Sequence, residues 1–95
     1  MRYRPRLDST QRAIVEALRA CGCTVVSLAG VGAGVPDLLC GVGGRTILLE
    51  VKSPKKVHRR ATEMQATQDR WMERWRGGEV FVVHDVPSAM LACRL

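Results

Sequence analysis

An α/β fold is expected from three observations on this 95-residue chain. Two stretches carry apolar residues at helical spacing, four short runs are rich in Val, Leu and Ile, and glycines punctuate the joins between them. The order they give is helix, three strands, helix, strand, short helix. That length suits one domain with one core, read here as spanning residues 1–95.

The first helix is "LDSTQRAIVEALRACG", capped by Asp8 or Ser9 and ended by Gly22. Ile14, Val15, Leu18 and Cys21 form its apolar stripe, with Gln11 at the upstream end and Glu16 facing water. "CTVVSL" reads as a first strand and "AGVGAG" as a glycine-rich loop. "VPDLLCGV" and "RTILLEVK" follow as strands joined by a tight turn at Gly43-Gly44, the only obvious hairpin. "SPKKVHRR" breaks the pattern and reads as a mobile basic loop. "ATEMQATQDRWMERWRGG" is a long helix ending at Gly77-Gly78, "EVFVVH" a fourth strand, and "DVPSAMLACRL" a final helix with Asp85 as cap and Pro87 in its first turn.

Composition narrows the function. A formal charge of +6 on so small a chain favours a polyanionic partner, nucleic acid ahead of a membrane surface. No apolar run approaches the roughly 18 residues of a membrane span. "MRYRPR" lacks the apolar region of a signal peptide, so a cytoplasmic protein is expected. Cys21, Cys23, Cys40 and Cys93 have no zinc-ligand spacing and read as reduced, small core residues. "GVGAGV" imitates a dinucleotide fingerprint, but Val35 stands where the third glycine belongs. No GxxxxGK[ST] phosphate loop occurs, and His84 at a strand end reads as structural.

Three charges interrupt the apolar strands. Alternation puts Ile47, Leu49 and Val51 on one face of the third strand and Leu48, Glu50 and Lys52 on the other. Asp37 lies on the paired strand, so Asp37, Glu50 and Lys52 converge. Two close carboxylates repel unless a positive charge sits between them. Lys52 neutralises one, whereas a hard divalent cation such as Mg²⁺ neutralises both and leaves room for water and phosphate oxygens. That arrangement suits phosphodiester hydrolysis. A plain buried salt bridge is the competing reading, and such bridges contribute little stability.

On the second helix Met64, Gln68, Trp71, Met72 and Trp75 share a face, so Gln68 interrupts an apolar stripe and needs partners. Those partners are either the Asp37–Glu50–Lys52 group or backbone at the sheet edge, and Gln65 is an alternative on a more exposed face. Gln11 raises the same question on the first helix. Lys55, Lys56, Arg59 and Arg60, with His58, form a cationic segment directly after Lys52 that suits DNA phosphates.

"GVPDLL…ILLEVK" resembles the PD-(D/E)XK nuclease superfamily, with Pro36-Asp37 and Glu50-Val51-Lys52 as the signature. "QRAIVEALRACG" and "QDRWMERWRGGEVFVVHDVPSAM" extend the likeness over nearly the whole chain to the VRR-NUC branch, in particular its small stand-alone phage and bacterial members. The resemblance implies a restriction-endonuclease-like αβββαβ core, a central mixed sheet flanked by helices. It implies a DNA endonuclease dependent on Mg²⁺ or Mn²⁺, with Asp37, Glu50 and the Val51 carbonyl as metal ligands and Lys52 as the catalytic lysine. Gln68 is then the helix glutamine and Gln11 the first-helix polar residue, although many superfamily members carry glutamate there. The stretch from Lys52 to Gln68 is longer than the family usually has, which leaves Gln65 in contention. Similarity to archaeal Holliday-junction resolvases points to branched or flapped DNA. A chain this short has little surface for wrapping a duplex, so a homodimer or a larger partner is expected. A binding module of the same fold without turnover, and an RNA-directed nuclease, are the rival readings.

Overall fold

The computed structural model describes residues 9–52 and 61–95. The order is α1 (Ser9–Ala20), β1 (Thr24–Ser27), β2 (Leu38–Val42), β3 (Arg45–Val51), α2 (Ala61–Arg74), β4 (Val80–Val83) and α3 (Val86–Ala92), the order expected from the sequence. The four strands lie side by side in chain order. β1 pairs antiparallel with β2, β2 antiparallel with β3, and β3 parallel with β4, giving the mixed sheet. β1 therefore adds a second antiparallel pair to the hairpin read from Gly43-Gly44, its long connection having hidden the pairing.

Local chemistry sets the joins. α1 ends at Ala20 and the chain turns away at Gly22, whose φ of 91° is open to glycine at no steric cost. The Cys23 N–H donates to the Leu18 carbonyl and the Gly22 N–H to the Arg19 carbonyl, closing the last turn. Gly43 and Gly44 both take positive φ, as a two-residue hairpin turn between Val42 and Arg45 requires. Asp85 caps α3: its carboxylate accepts from the Ser88 N–H at 2.9 Å, and the Ser88 Oγ accepts from the Asp85 N–H at 3.1 Å.

The core lies on one face of the sheet. Ile14 and Leu18 from α1, Ala89 and Ala92 from α3 and its C-cap Cys93 pack on Val25, Leu38, Cys40, Ile47, Leu49, Val51 and Val83. Cys23, Cys40 and Cys93 are buried, free neighbours, and burial together with the other two thiols pushes the Cys40 thiol up to about 12. Burial raises the Cys93 thiol as well, so Cys40 and Cys93 stay protonated and inert. Cys21 departs from expectation: it lies beyond the last residue of α1 and is exposed.

The opposite face is where α2 sits, because Glu50 alternates with the core residues of β3 and bonds to Gln68 of α2. This face is less covered, and Val26 and Val82 remain about half exposed. α2 also departs from its reading as a buried stripe. Met64 is 55% exposed, and Trp75 is 39% exposed and follows the helix end at Arg74. Helical spacing aligned these residues, but only Gln68, Trp71 and Met72 of the set are partly buried.

Gly34 explains how the glycine-rich loop meets α2. Its φ is 83°, and a Cβ there would fall 2.5 Å from the Thr67 carbonyl oxygen and 3.1 Å from the Trp71 Cβ. The loop thus rests its backbone directly on α2, which no other residue allows without displacement.

Candidate active site

Asp37 stands immediately before β2, one residue outside the strand expected to hold it, and its Oδ2 accepts the Val51 N–H at 2.8 Å. The β2–β3 register pairs Leu38 with Leu49, so Asp37 falls opposite Glu50. The Asp37 carbonyl in turn accepts from the Leu28 N–H at 2.8 Å, which anchors the residue from the β1 side.

Glu50 is 4% exposed on β3, an unusual place for a carboxylate. Its Oε2 accepts from Gln68 Nε2 at 2.7 Å and lies 3.6 Å from Lys52 Nζ. Lys52 Nζ also donates to Gln68 Oε1, so the glutamine bridges the two charges. Its amide nitrogen serves the carboxylate and its oxygen the ammonium, which settles the flip by chemistry. Gln65 is exposed and donates from Nε2 to Asp69 at 2.8 Å, away from this group. Of the two glutamines, Gln68 is the one joined to the cluster.

Burial, and next the facing Asp37 charge, push the Glu50 carboxyl up to about 7, against the lowering pull of Lys52 and the Gln68 amide. Its Oε1 is buried with no hydrogen-bond partner among the described residues. One oxygen of a carboxyl whose ionisation is opposed by burial and by Asp37 is thus left unsatisfied among the described residues. This is the condition a divalent cation relieves, and two carboxylates with remaining positions for water fit Mg²⁺ or Mn²⁺. Among the described residues no group of three or more His, Cys, Asp or Glu side chains gathers to enclose a metal ion. An open two-carboxylate site differs from such a closed cage.

Gln11 is 6% exposed on α1, and its Nε2 is buried without a partner among the described residues. Among the described residues no hydrogen bond joins it to Asp37, Glu50, Lys52 or Gln68. Val51 gives its N–H to Asp37, which fixes its backbone beside the carboxylates. His84 is exposed at the end of β4, with Nδ1 3.3 Å from the Lys52 carbonyl oxygen. The basic residues Lys55, Lys56, Arg59 and Arg60 lie outside the described residues.

A cavity of about 460 Å³ opens between the glycine-rich loop and α2 and is lined by both Asp37 and Gln68, with Gly34, Met64 and Thr67. Sequence reasoning missed this wall. The signal for it was the glycine-rich loop that fails as a nucleotide fingerprint, because Gly34 is needed for its close approach to α2.

No curated protein and no solved structure matches the chain. No helix among the described residues is long and apolar enough to cross a membrane. The family model of the archaeal Holliday junction resolvase (Hjc) matches residues 4–85. That family is of the PD-(D/E)XK type, so the match agrees with the superfamily expected from Pro36-Asp37 and Glu50-Val51-Lys52 and does not single out the VRR-NUC branch. Covering most of the chain and the whole Asp37–Glu50–Lys52–Gln68 cluster, the match shows that this chain belongs to the archaeal Holliday junction resolvase family of DNA nucleases.

Proposed function

We propose that the chain is an endonuclease dependent on Mg²⁺ or Mn²⁺ that hydrolyses phosphodiester bonds at the branch of four-way or flapped DNA. The observation that carries this is the buried, unpartnered Glu50 Oε1 beside Asp37, in a cluster that Lys52 only half neutralises. Asp37, Glu50 and the Val51 carbonyl would hold the cation. When bound, it supplies charge stabilisation at the phosphoryl oxygens and a more acidic water.

The chain's own residues do the positioning. The Val51 N–H holds one oxygen of Asp37 and leaves its other oxygen for the site. Gln68 fixes the Lys52 ammonium beside Glu50, where it orients a water toward phosphorus or balances the charge that develops in the transition state. Gln11 offers an unused donor from α1 and would serve as a supporting polar residue. Lys55, Lys56, Arg59 and Arg60 follow Lys52 in the chain and would contact phosphates without reading bases. The likeness to small stand-alone VRR-NUC members fits the same chemistry. A two-fold junction needs a cut in each of two strands, and this chain carries one such cluster, so a homodimer is part of the reading.

The test is cleavage of labelled four-way, flapped and linear DNA, and of RNA, with Mg²⁺, Mn²⁺ or EDTA. Branched DNA should be cut with either metal, with EDTA abolishing the reaction and Lys52→Ala losing it. Retention of DNA without cleavage under every condition, unchanged in Lys52→Ala, would make the chain a binding module. Cleavage of RNA in preference to DNA would assign it the other substrate.

A further inference from the structure

Beyond the catalytic cluster, the groove continues along α2. Ala33 and Thr67 line both the cavity at Asp37 and Gln68 and a second cavity of about 370 Å³, whose other walls are Arg70, Trp71, Arg74 and Trp75. Trp71 and Trp75 stack, with ring centroids 4.9 Å apart and planes at 19°. The outer ring is locked in place: Trp75 Nε1 donates to the Gly78 carbonyl at 2.8 Å, and a Cβ on Gly77 would fall 2.1 Å from the indole. Two tryptophans at an exposed helix end are therefore held rigid without being buried in the core. Arg70 and Arg74 are exposed and form no ion pair with a described residue.

We propose that this end of the groove binds an unpaired nucleotide of the DNA strand, its base against Trp71 and its phosphates at Arg70 and Arg74. The proposal rests on the nuclease reading and names what that site selects. Rigid aromatic faces take any base, and arginines beside them supply phosphate contacts and cation–π attraction. The basic charge of the chain complements the strand. In an intact duplex the base faces are already occupied by stacking, whereas a flap leaves its strand unpaired and an opened four-way junction, its bases still paired, breaks the stack at its centre. Trp71 stands one turn along α2 from Gln68, about 5 Å. Against about 3.4 Å per nucleotide, the bound base belongs to a nucleotide within one or two of the scissile phosphate. Glu63 lines the cavity at the far end from Arg74, so phosphates are drawn toward the arginine end of the groove.

The experiment uses the full chain in EDTA, so that nothing is cut, with a labelled single strand, a four-way junction and a linear duplex. Trp71→Ala should weaken single-strand and junction binding roughly tenfold while duplex affinity changes less than about twofold. Trp71→Phe, which keeps an aromatic face, should stay within about threefold of the parent. Tryptophan emission should be quenched by the single strand and junction but not by the duplex. Arg74→Gln should lower the salt slope by about one on all substrates that enter the groove. Equal binding by Trp71→Ala, or an equal loss on all three DNAs, overturns the proposal. So does a shift of Trp71→Ala from dimer to monomer with loss on every DNA, which would make the face a contact between two copies. Junction cleavage that depends on Lys52 while Trp71→Ala binds normally would sink this inference alone. A selective Trp71 effect with no cleavage under any metal would sink the nuclease reading and leave the base site standing.

Discussion

Glu50→Gln separates the charge of the central carboxylate from its shape. In the folded chain the Glu50 carboxyl is raised from 4.5 to about 7, first by burial and next by Asp37. A raised carboxyl favours folding while it holds its proton. That contribution is complete below 4.5 and is lost as pH rises toward 7, because there the unfolded chain has already released the proton. At about 1.4 kcal/mol per pH unit the gap corresponds to roughly 3 kcal/mol. Solvent reaching the half-exposed Asp37 and Lys52 screens the group, so about 2 kcal/mol is a fairer expectation. Urea unfolding in EDTA should find Glu50→Gln more stable than the parent by about that amount at pH 8, with the difference shrinking toward zero at pH 5. For a domain of this size the pH 8 gain corresponds to a Tm rise of roughly 10 °C. Added Mn²⁺ should raise the parent's Tm and leave that of Glu50→Gln unmoved. A variant less stable than the parent at pH 8, or a gain equal at both pH values, would refute the idea that ionising Glu50 strains the fold.

Three further changes probe the neighbours. Lys52→Ala should cut cleavage of branched DNA at least about a hundredfold, while the acid limb of any residual activity moves to higher pH because Lys52 lowers the Glu50 carboxyl. Gln68→Ala, which unlinks Lys52 from Glu50, should lose activity about tenfold or more, and Gln65→Ala should not; equal losses in a side-by-side cleavage assay would end the assignment of Gln68. Gly34→Ala combines a left-handed backbone with an approach of 2.5 Å to the Thr67 carbonyl and should cost about 2–4 kcal/mol in a urea titration. Gly44→Ala, with φ of 77° and open space, should cost about 1 kcal/mol, and comparable losses at the two positions would deny that the loop is seated on α2.

What was legible in the sequence was local. Gly22, the Gly43-Gly44 turn and the Asp85 cap each act within a few residues, so composition at those points carried the geometry with it. The pairing of Asp37, Glu50 and Lys52 was legible for a related reason: a two-residue turn fixes the register, and register fixes which side chains meet. The environment of α2 was not. A periodic stripe states which residues share a face, and it is silent on what covers that face. Met64 and Trp75 therefore looked like core and proved exposed, while Gln68 in the same stripe meets two charges. The Gln65 alternative stayed open in the sequence because the long stretch after Lys52 does not fix which of the two glutamines reaches the carboxylates. Only the position of Lys52 across the layer decides between them.

The same helix carries both halves of the proposed function, and among the described residues two seats hold it. α2 meets the sheet at the Gln68 link to Glu50 and Lys52, and meets the loop at Gly34 over Thr67. Thr67 and Gln68 are adjacent, so the seat of the groove and the seat of Lys52 share one turn of helix. A shift of α2 would move the Trp71–Trp75 stack and loosen Lys52 together. With the proposed base site, binding of a strand at the aromatic end would reach the carboxylate cluster through this one helix rather than through a chain of intermediaries. An unpaired base at Trp71 would then do more than add affinity: it would set the position of Gln68, and a duplex lacking that base would leave Lys52 less well placed. Junction selectivity would then appear in the cleavage rate as well as in binding.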